Sequence, residues 1–138
     1  MIEEVYVVQK VAWEYNDEHY YTGESDGGNP VIAYINEDTA KKVADDLTYK
    51  YVTESWGGFT PCEYSYDGYR ELEFIARDDE LVDMLRKAGV IDHKDDLGVS
   101  PWEFKITKEH NVTPELVHRL LDVCGIYFYS VIKVKIDG

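Results

Sequence analysis

The groups in this chain able to do acid–base, nucleophilic or metal chemistry are four histidines, two cysteines and twenty-eight carboxylates, spread over 138 residues. Their spacing spells none of the patterns that turn such groups into a site. No Gly-x-Ser-x-Gly elbow presents a nucleophile, no His-Glu-x-x-His pair shares a helix face, and no Walker or Gly-x-Gly-x-x-Gly loop cradles a phosphate. His19, His93, His110 and His118 do not fall at metal-ligand spacing, and Cys62 and Cys124 form no Cys-x-x-Cys motif. Each lone histidine therefore reads as a hydrogen-bonding group of the surface or core, with no metal or cofactor implied. The run Asp92-His93-Lys94-Asp95-Asp96-Leu97-Gly98 invites comparison with a calcium loop. Such a loop needs an oxygen ligand at its third position and glycine at its sixth. Lys94 and Leu97 stand there instead, so a solvated acidic loop is expected.

The segment Trp13-Glu14-Tyr15-Asn16-Asp17-Glu18-His19-Tyr20-Tyr21 sets aromatic rings around a carboxylate-rich turn. Aromatics offer rigid contact area and carboxylates offer charge, the two ingredients of a recognition surface. Alternation along residues 5–15 puts Trp13 and Tyr15 on the side of Val5, Val7 and Val11, which reads them as core. Glu14, Asp17, Glu18 and Tyr20, with Glu24 and Asp26 in the following loop, remain as candidate partner-binding residues. Trp56, beside Gly57-Gly58, joins them as a loop aromatic, since loops carry function more often than the elements they connect.

Charge is the outlying property. Fourteen basic residues oppose the acids, giving a net −14 with neutral histidines. Residues 1–80 hold nineteen acids and six bases, whereas residues 81–138 hold nine and eight. A field of this sign repels nucleic acid and anionic lipid and attracts basic surfaces. Twelve tyrosines offer stacking faces for bases, but nucleic-acid binders surround such platforms with Lys and Arg. Direct DNA or RNA binding is not expected, and no run of about twenty apolar residues exists to span a bilayer. The acidic start Met1-Ile2-Glu3-Glu4 is unlike a secretory signal. Two cysteines without a motif fit a reduced, cytoplasmic setting.

A single α+β domain is expected, because hairpins alternate with helix-linked strands. Period-2 patterning predicts a strand over residues 5–15, a hairpin turn at Asn16-Asp17, a return arm over 18–22 and another strand over 31–35. The first helix starts near Asn36 or Asp38, with Ala40, Val43, Ala44, Leu47 and Tyr51 as its buried stripe. One or two strands are expected over residues 62–76, turning at Asp67-Gly68. A second helix is capped by Asp78 or Asp79 and ended by Gly89, and a third opens at Thr113-Pro114 and ends at Gly125. Strands over 102–107 and 126–136 complete a largely antiparallel sheet with about three helices on one face.

These features point to a non-enzymatic interaction protein whose acidic surface meets a basic surface on a partner. Its sharp form is a nucleic-acid mimic of the phage or mobile-element kind, an inhibitor of a DNA- or RNA-processing enzyme. Homodimer formation is compatible with it. The alternative is a small-ligand binder or enzyme with a tyrosine-lined pocket, in which carboxylates and a histidine do acid–base work.

Overall fold

A computed structural model describes residues 3–11, 13–15, 21–23, 29–55, 57–64, 68–98 and 100–136. Three strands, β1 (Glu4–Lys10), β4 (Asn29–Tyr34) and β5 (Tyr129–Lys135), form an antiparallel sheet in the order β4-β1-β5. A separate two-stranded ladder pairs β2 (Trp13–Tyr15) with β3 (Tyr21–Gly23). Four helices complete the described chain: α1 (Glu37–Thr53), α2 (Gly68–Arg77), α3 (Asp79–Lys87) and α4 (Pro114–Cys124). The α+β class is as the sequence predicts, with one more helix.

The chemistry that starts each of three helices is local. Asn36, Asp78 and Thr113 have extended backbones, and their side-chain oxygens accept from the N–H groups of Thr39, Leu81 and Leu116 at 3.1, 3.1 and 3.2 Å. Each thereby satisfies one of the donors that a helix start leaves free. Gly125 ends α4 at φ 68°, a left-handed conformation that favours glycine.

Helix α1 lies on one face of the three-stranded sheet, where Val8, Ala40 and Ala44 are buried and Tyr6, Tyr34, Val43, Leu47, Tyr129 and Val131 pack around them. Beyond α1 an aromatic cluster joins the layers: Tyr51, Phe59 and Tyr64 surround Phe128 at ring-centre distances of 4.5, 5.6 and 5.2 Å. A third cluster, with Leu72, Ile75, Leu81, Leu85, Phe104, Leu116 and Leu120, holds α2, α3 and α4 together.

The opposite sheet face follows from the register. Val5 pairs with Val134, and Val7 lies between Ala33 and Ile132. Ile132, Val134 and, just past the strand, Ile136 are each about 40% exposed. At one end of this face Gln9 is buried, and its Oε1 has no hydrogen-bond partner.

Four local expectations are corrected. The segment expected as strands over 62–76 is a short 3₁₀ turn, Pro61–Tyr64, followed by α2. Gly68, Glu71, Leu72 and Ile75 are its buried positions, a helical spacing that packs on α4 and on the 3₁₀ turn. Gly68 is needed there, because a Cβ would stand 2.8 Å from Pro101 Cβ. Among the described residues, 102–107 make one bridge, Phe59 with Ile106, and no described strand lies beside them to extend a ladder. The last strand starts at Tyr129, three residues late, since Ile126 and Phe128 turn into the core. The long first strand is two elements, β1 and β2, in different sheets. Trp13 and Tyr15 are described by their backbones alone, opposite Gly23 and Tyr21.

Candidate interaction surface

Helices α1 and α4 pack together, with the start of α3 beside them, and along this seam runs an open cleft of about 610 Å³. Its floor is apolar, formed by Met84, Val117, Leu121 and Ile126, and three tyrosines, Tyr49, Tyr127 and Tyr129, stand in its walls. Five carboxylates line it: Asp45 and Asp46 from α1, Glu80 from α3, and Glu115 and Asp122 from α4. His118 and Arg119 complete the polar lining.

The local sequence explains the placement. On α4, Leu116, Val117, Leu120 and Leu121 are buried, so the intervening Glu115, His118 and Asp122 are exposed. On α1 the buried Ala40 and Ala44 leave Asp45 and Asp46 exposed. Tyr49 is tied down, its hydroxyl donating to the Val112 carbonyl at 2.7 Å.

The Arg119 guanidinium in the lining is already engaged. Arg119 donates to both carboxylate oxygens of Asp78, with contacts of 2.9 to 3.2 Å, and reaches Glu80 at 3.1 Å. Its hydrogen bond is the chief reason the Asp78 carboxyl lies below the usual carboxylate range, with the Leu81 N–H adding to it. Asp45, Asp46, Glu115 and Asp122 have no ion-pair partner among the described residues. Some carboxylates elsewhere are paired within their own helices, as in Glu37–Lys41, Glu73–Arg77 and Asp83–Lys87, while others, such as Asp38, Glu54 and Asp79, have no ion-pair partner among the described residues. The cleft is thus a concentration of uncompensated negative charge over an apolar, aromatic floor.

Neither thiol is a poised nucleophile. Burial, with the nearby Glu71 adding to it, pushes Cys62 up to about 12. Burial likewise raises Cys124 far above the ordinary thiol value, with Cys62 and Glu71 contributing. In the 92–98 loop, Asp96 accepts the backbone N–H groups of Asp92 and His93 at 2.9 and 3.0 Å, so that carboxylate shapes its own loop. His110 Nδ1 accepts from the Thr107 N–H at 3.1 Å. Among the described residues no group of three or more His, Cys, Asp or Glu could hold a metal ion, and no helix is long and apolar enough to cross a membrane.

Of the residues singled out from the sequence, Asp17, Glu18, Tyr20, Glu24, Asp26 and Trp56 lie outside the described residues. Glu14 sits in β2, its backbone opposite Thr22. The acids of the cleft lining were not singled out from the sequence. One signal was present: Glu115, His118 and Asp122 recur at i, i+3 and i+7, a continuous polar stripe on a short helix. Its partners on α1 and α3 come together only through folding.

Fold and cleft together define a class, an acidic α+β domain with a carboxylate-lined groove between two helices. Comparison with protein-family models, curated proteins and solved structures finds no match to this chain.

Proposed function

We propose that this chain is a non-enzymatic interaction protein that engages a basic surface on a partner protein, with the α1–α4 cleft as part of the contact. The observation that carries this reading is the set of four carboxylates without ion-pair partners among the described residues, Asp45, Asp46, Glu115 and Asp122, around tyrosines and an apolar floor. Carboxylates accept charge-assisted hydrogen bonds from Lys and Arg, while the apolar floor and tyrosine faces suit the hydrocarbon stems and guanidinium planes of those side chains. The net charge of −14 adds long-range steering toward a cationic partner.

In its narrower form the partner is a DNA- or RNA-processing enzyme of a reducing, cytoplasmic setting. The acidic surface then stands in for a nucleic acid, which carries one negative charge per ~1.7 Å of duplex axis. This would make the protein an inhibitor of the phage or mobile-element kind. Asp17, Glu18, Glu24 and Asp26 are further candidate contact residues for the same partner.

The test is capture of partners from the native host at low salt, followed by elution with rising salt. Partners held by the cleft should leave as the Debye length shrinks from about 30 Å at 0.01 M to about 8 Å at 0.15 M. Reversing charge at Asp45, Asp46, Glu115 and Asp122 to lysine should abolish their capture. Binding that ignores salt, or survives this reversal and that of the hairpin acids together, overturns the proposal. The tyrosines of the same cleft favour a second reading, a small cationic ligand in place of a protein. Calorimetric titration with spermidine at low salt separates the two, since a small-ligand site saturates one to one.

A further inference from the structure

We infer, on the reading of the α1–α4 cleft as the contact for a basic surface, that the group it takes from the partner is an arginine side chain carried on a short exposed segment. Size narrows the occupant first. At about 610 Å³ the cleft falls within the ~300 to 1,000 Å³ of pockets that enclose a small molecule. It therefore admits a few side chains and not the face of a helix or sheet.

The lining then separates arginine from other cations. Tyr127 is 49% exposed in the cleft wall, and Asp45, Asp46, Glu115 and Asp122 are exposed around an apolar floor. A guanidinium uses both kinds of group at once. Its face stacks on an aromatic ring while its edge donates forked hydrogen bonds to carboxylate oxygens. The ammonium of lysine is a compact, strongly hydrated charge, and it loses more hydration over an apolar, aromatic floor. A quaternary ammonium suits the ring but brings no N–H to the carboxylates.

The fold already holds one guanidinium in this manner. Arg119, itself part of the lining, donates to both carboxylate oxygens of Asp78 at 2.9 to 3.2 Å and reaches Glu80 at 3.1 Å. One guanidinium thus serves two carboxylates at the start of α3. Among the described residues no lysine and no second arginine lines the cleft, and an arginine from outside supplies the other carboxylates with the same kind of donor.

An NMR titration of the ¹⁵N-labelled protein tests this with two blocked tripeptides of equal charge, Arg-Gly-Arg and Lys-Gly-Lys. It is run at pH 7 and about 0.1 M NaCl, where exposed charges more than about 10 Å apart are largely screened. The largest shifts should fall on α1 and α4 around Asp46 and Asp122, and the arginine peptide should bind about fivefold tighter than the lysine peptide. Tyr127→Leu, which keeps an apolar side chain and removes the ring, should bring the two within about twofold of each other with the circular dichroism spectrum unchanged. Asp45→Asn with Asp122→Asn should weaken the arginine peptide by about fivefold or more. Glu103→Gln with Glu109→Gln, which removes the same charge outside the lining, should alter it by less than about twofold. Equal affinity for the two peptides, or a preference that survives Tyr127→Leu, overturns the inference and leaves the cleft as a basic-surface contact. Shifts elsewhere, a control pair as damaging as the cleft pair, or no binding of either peptide up to about 10 mM overturns both.

Discussion

Asp78 occupies a junction where one substitution separates two physical effects. Its Oδ1 accepts the Leu81 N–H at 3.1 Å, capping α3, and both its oxygens hold Arg119 of α4. Asp78→Ala removes both, whereas Asp78→Asn keeps a residue that caps as well as aspartate while removing the charge. Loss of the cap costs about 1 kcal/mol, within a range of about 0.5 to 2. Arg119 is about one third exposed and keeps Glu80 at 3.1 Å, so it is not stranded as a buried lone charge. Asp78→Ala should therefore lower stability by about 1 to 2 kcal/mol, a fall in Tm of roughly 3 to 10 °C for a chain of this length. Asp78→Asn should fall clearly short of that. The pH dependence has a definite sign. Because the folded-state carboxyl lies below its ordinary 3.8, its contribution is complete above that value and fades as pH falls through the lower folded-state value. The stability gap between native protein and Asp78→Asn should hold steady from pH 7 to about 5 and close below about 4. Urea titrations monitored by circular dichroism across this range are the assay, urea being uncharged. An Asp78→Ala protein as stable as the native one, or an Asp78→Asn gap unchanged at pH 2, would refute the reasoning.

Two glycines should respond to alanine for different reasons. At Gly68 the new Cβ meets Pro101 Cβ at 2.8 Å and Cys62 Cβ at 3.3 Å, so Gly68→Ala should destabilise by about 1 to 3 kcal/mol through overpacking. At Gly125 nothing lies within 4 Å, but φ is 68°, and Gly125→Ala should cost about 1 to 2 kcal/mol through backbone strain alone; thermal melts of both read the difference. The fully buried Cys62 thiol should react with a disulfide reagent at pH 8 only as fast as the chain opens, and the partly exposed Cys124 slowly, since its surroundings keep it protonated. Rapid stoichiometric labelling of the native protein would contradict that.

What could be read from the sequence was what short-range chemistry decides. Asn36, Asp78 and Thr113 act three residues away, and the stripes of α1, α3 and α4 repeat at helical spacing, so these helices were legible with their caps. Residues 68–77 satisfy two templates at once. Leu72, Phe74 and Ala76 alternate as a strand does, while Leu72 and Ile75 share a helix face, and Asp67-Gly68 resembles a hairpin turn. Burial of Glu71 on the same stripe decides for the helix, and that depends on neighbours from distant sequence. Along 102–107 Phe104 and Ile106 are buried and Lys105 exposed, as they would be in a strand. A strand also needs a partner, and among the described residues only Phe59 supplies one.

The same distinction governs the charge. Along the chain the acidic excess belongs to residues 1–80, which directs attention to the hairpin acids between Glu14 and Asp26. Folding mixes the two parts: Asp45, Asp46 and Glu80 of the first part meet Glu115 and Asp122 of the nearly neutral second part. A carboxylate contributes to recognition by its local field and not by its position in a running sum. Charge reversal distinguishes the cleft acids from Asp17, Glu18, Glu24 and Asp26 as sources of negative potential. If the cleft leads, reversing Asp45, Asp46, Glu115 and Asp122 removes partner capture while reversing Asp17, Glu18, Glu24 and Asp26 only slows association. If the hairpin leads, the order inverts, and the cleft acids act by steering alone. Equilibrium affinity and association rate, measured for both sets against the same captured partner, decide which surface makes the contact.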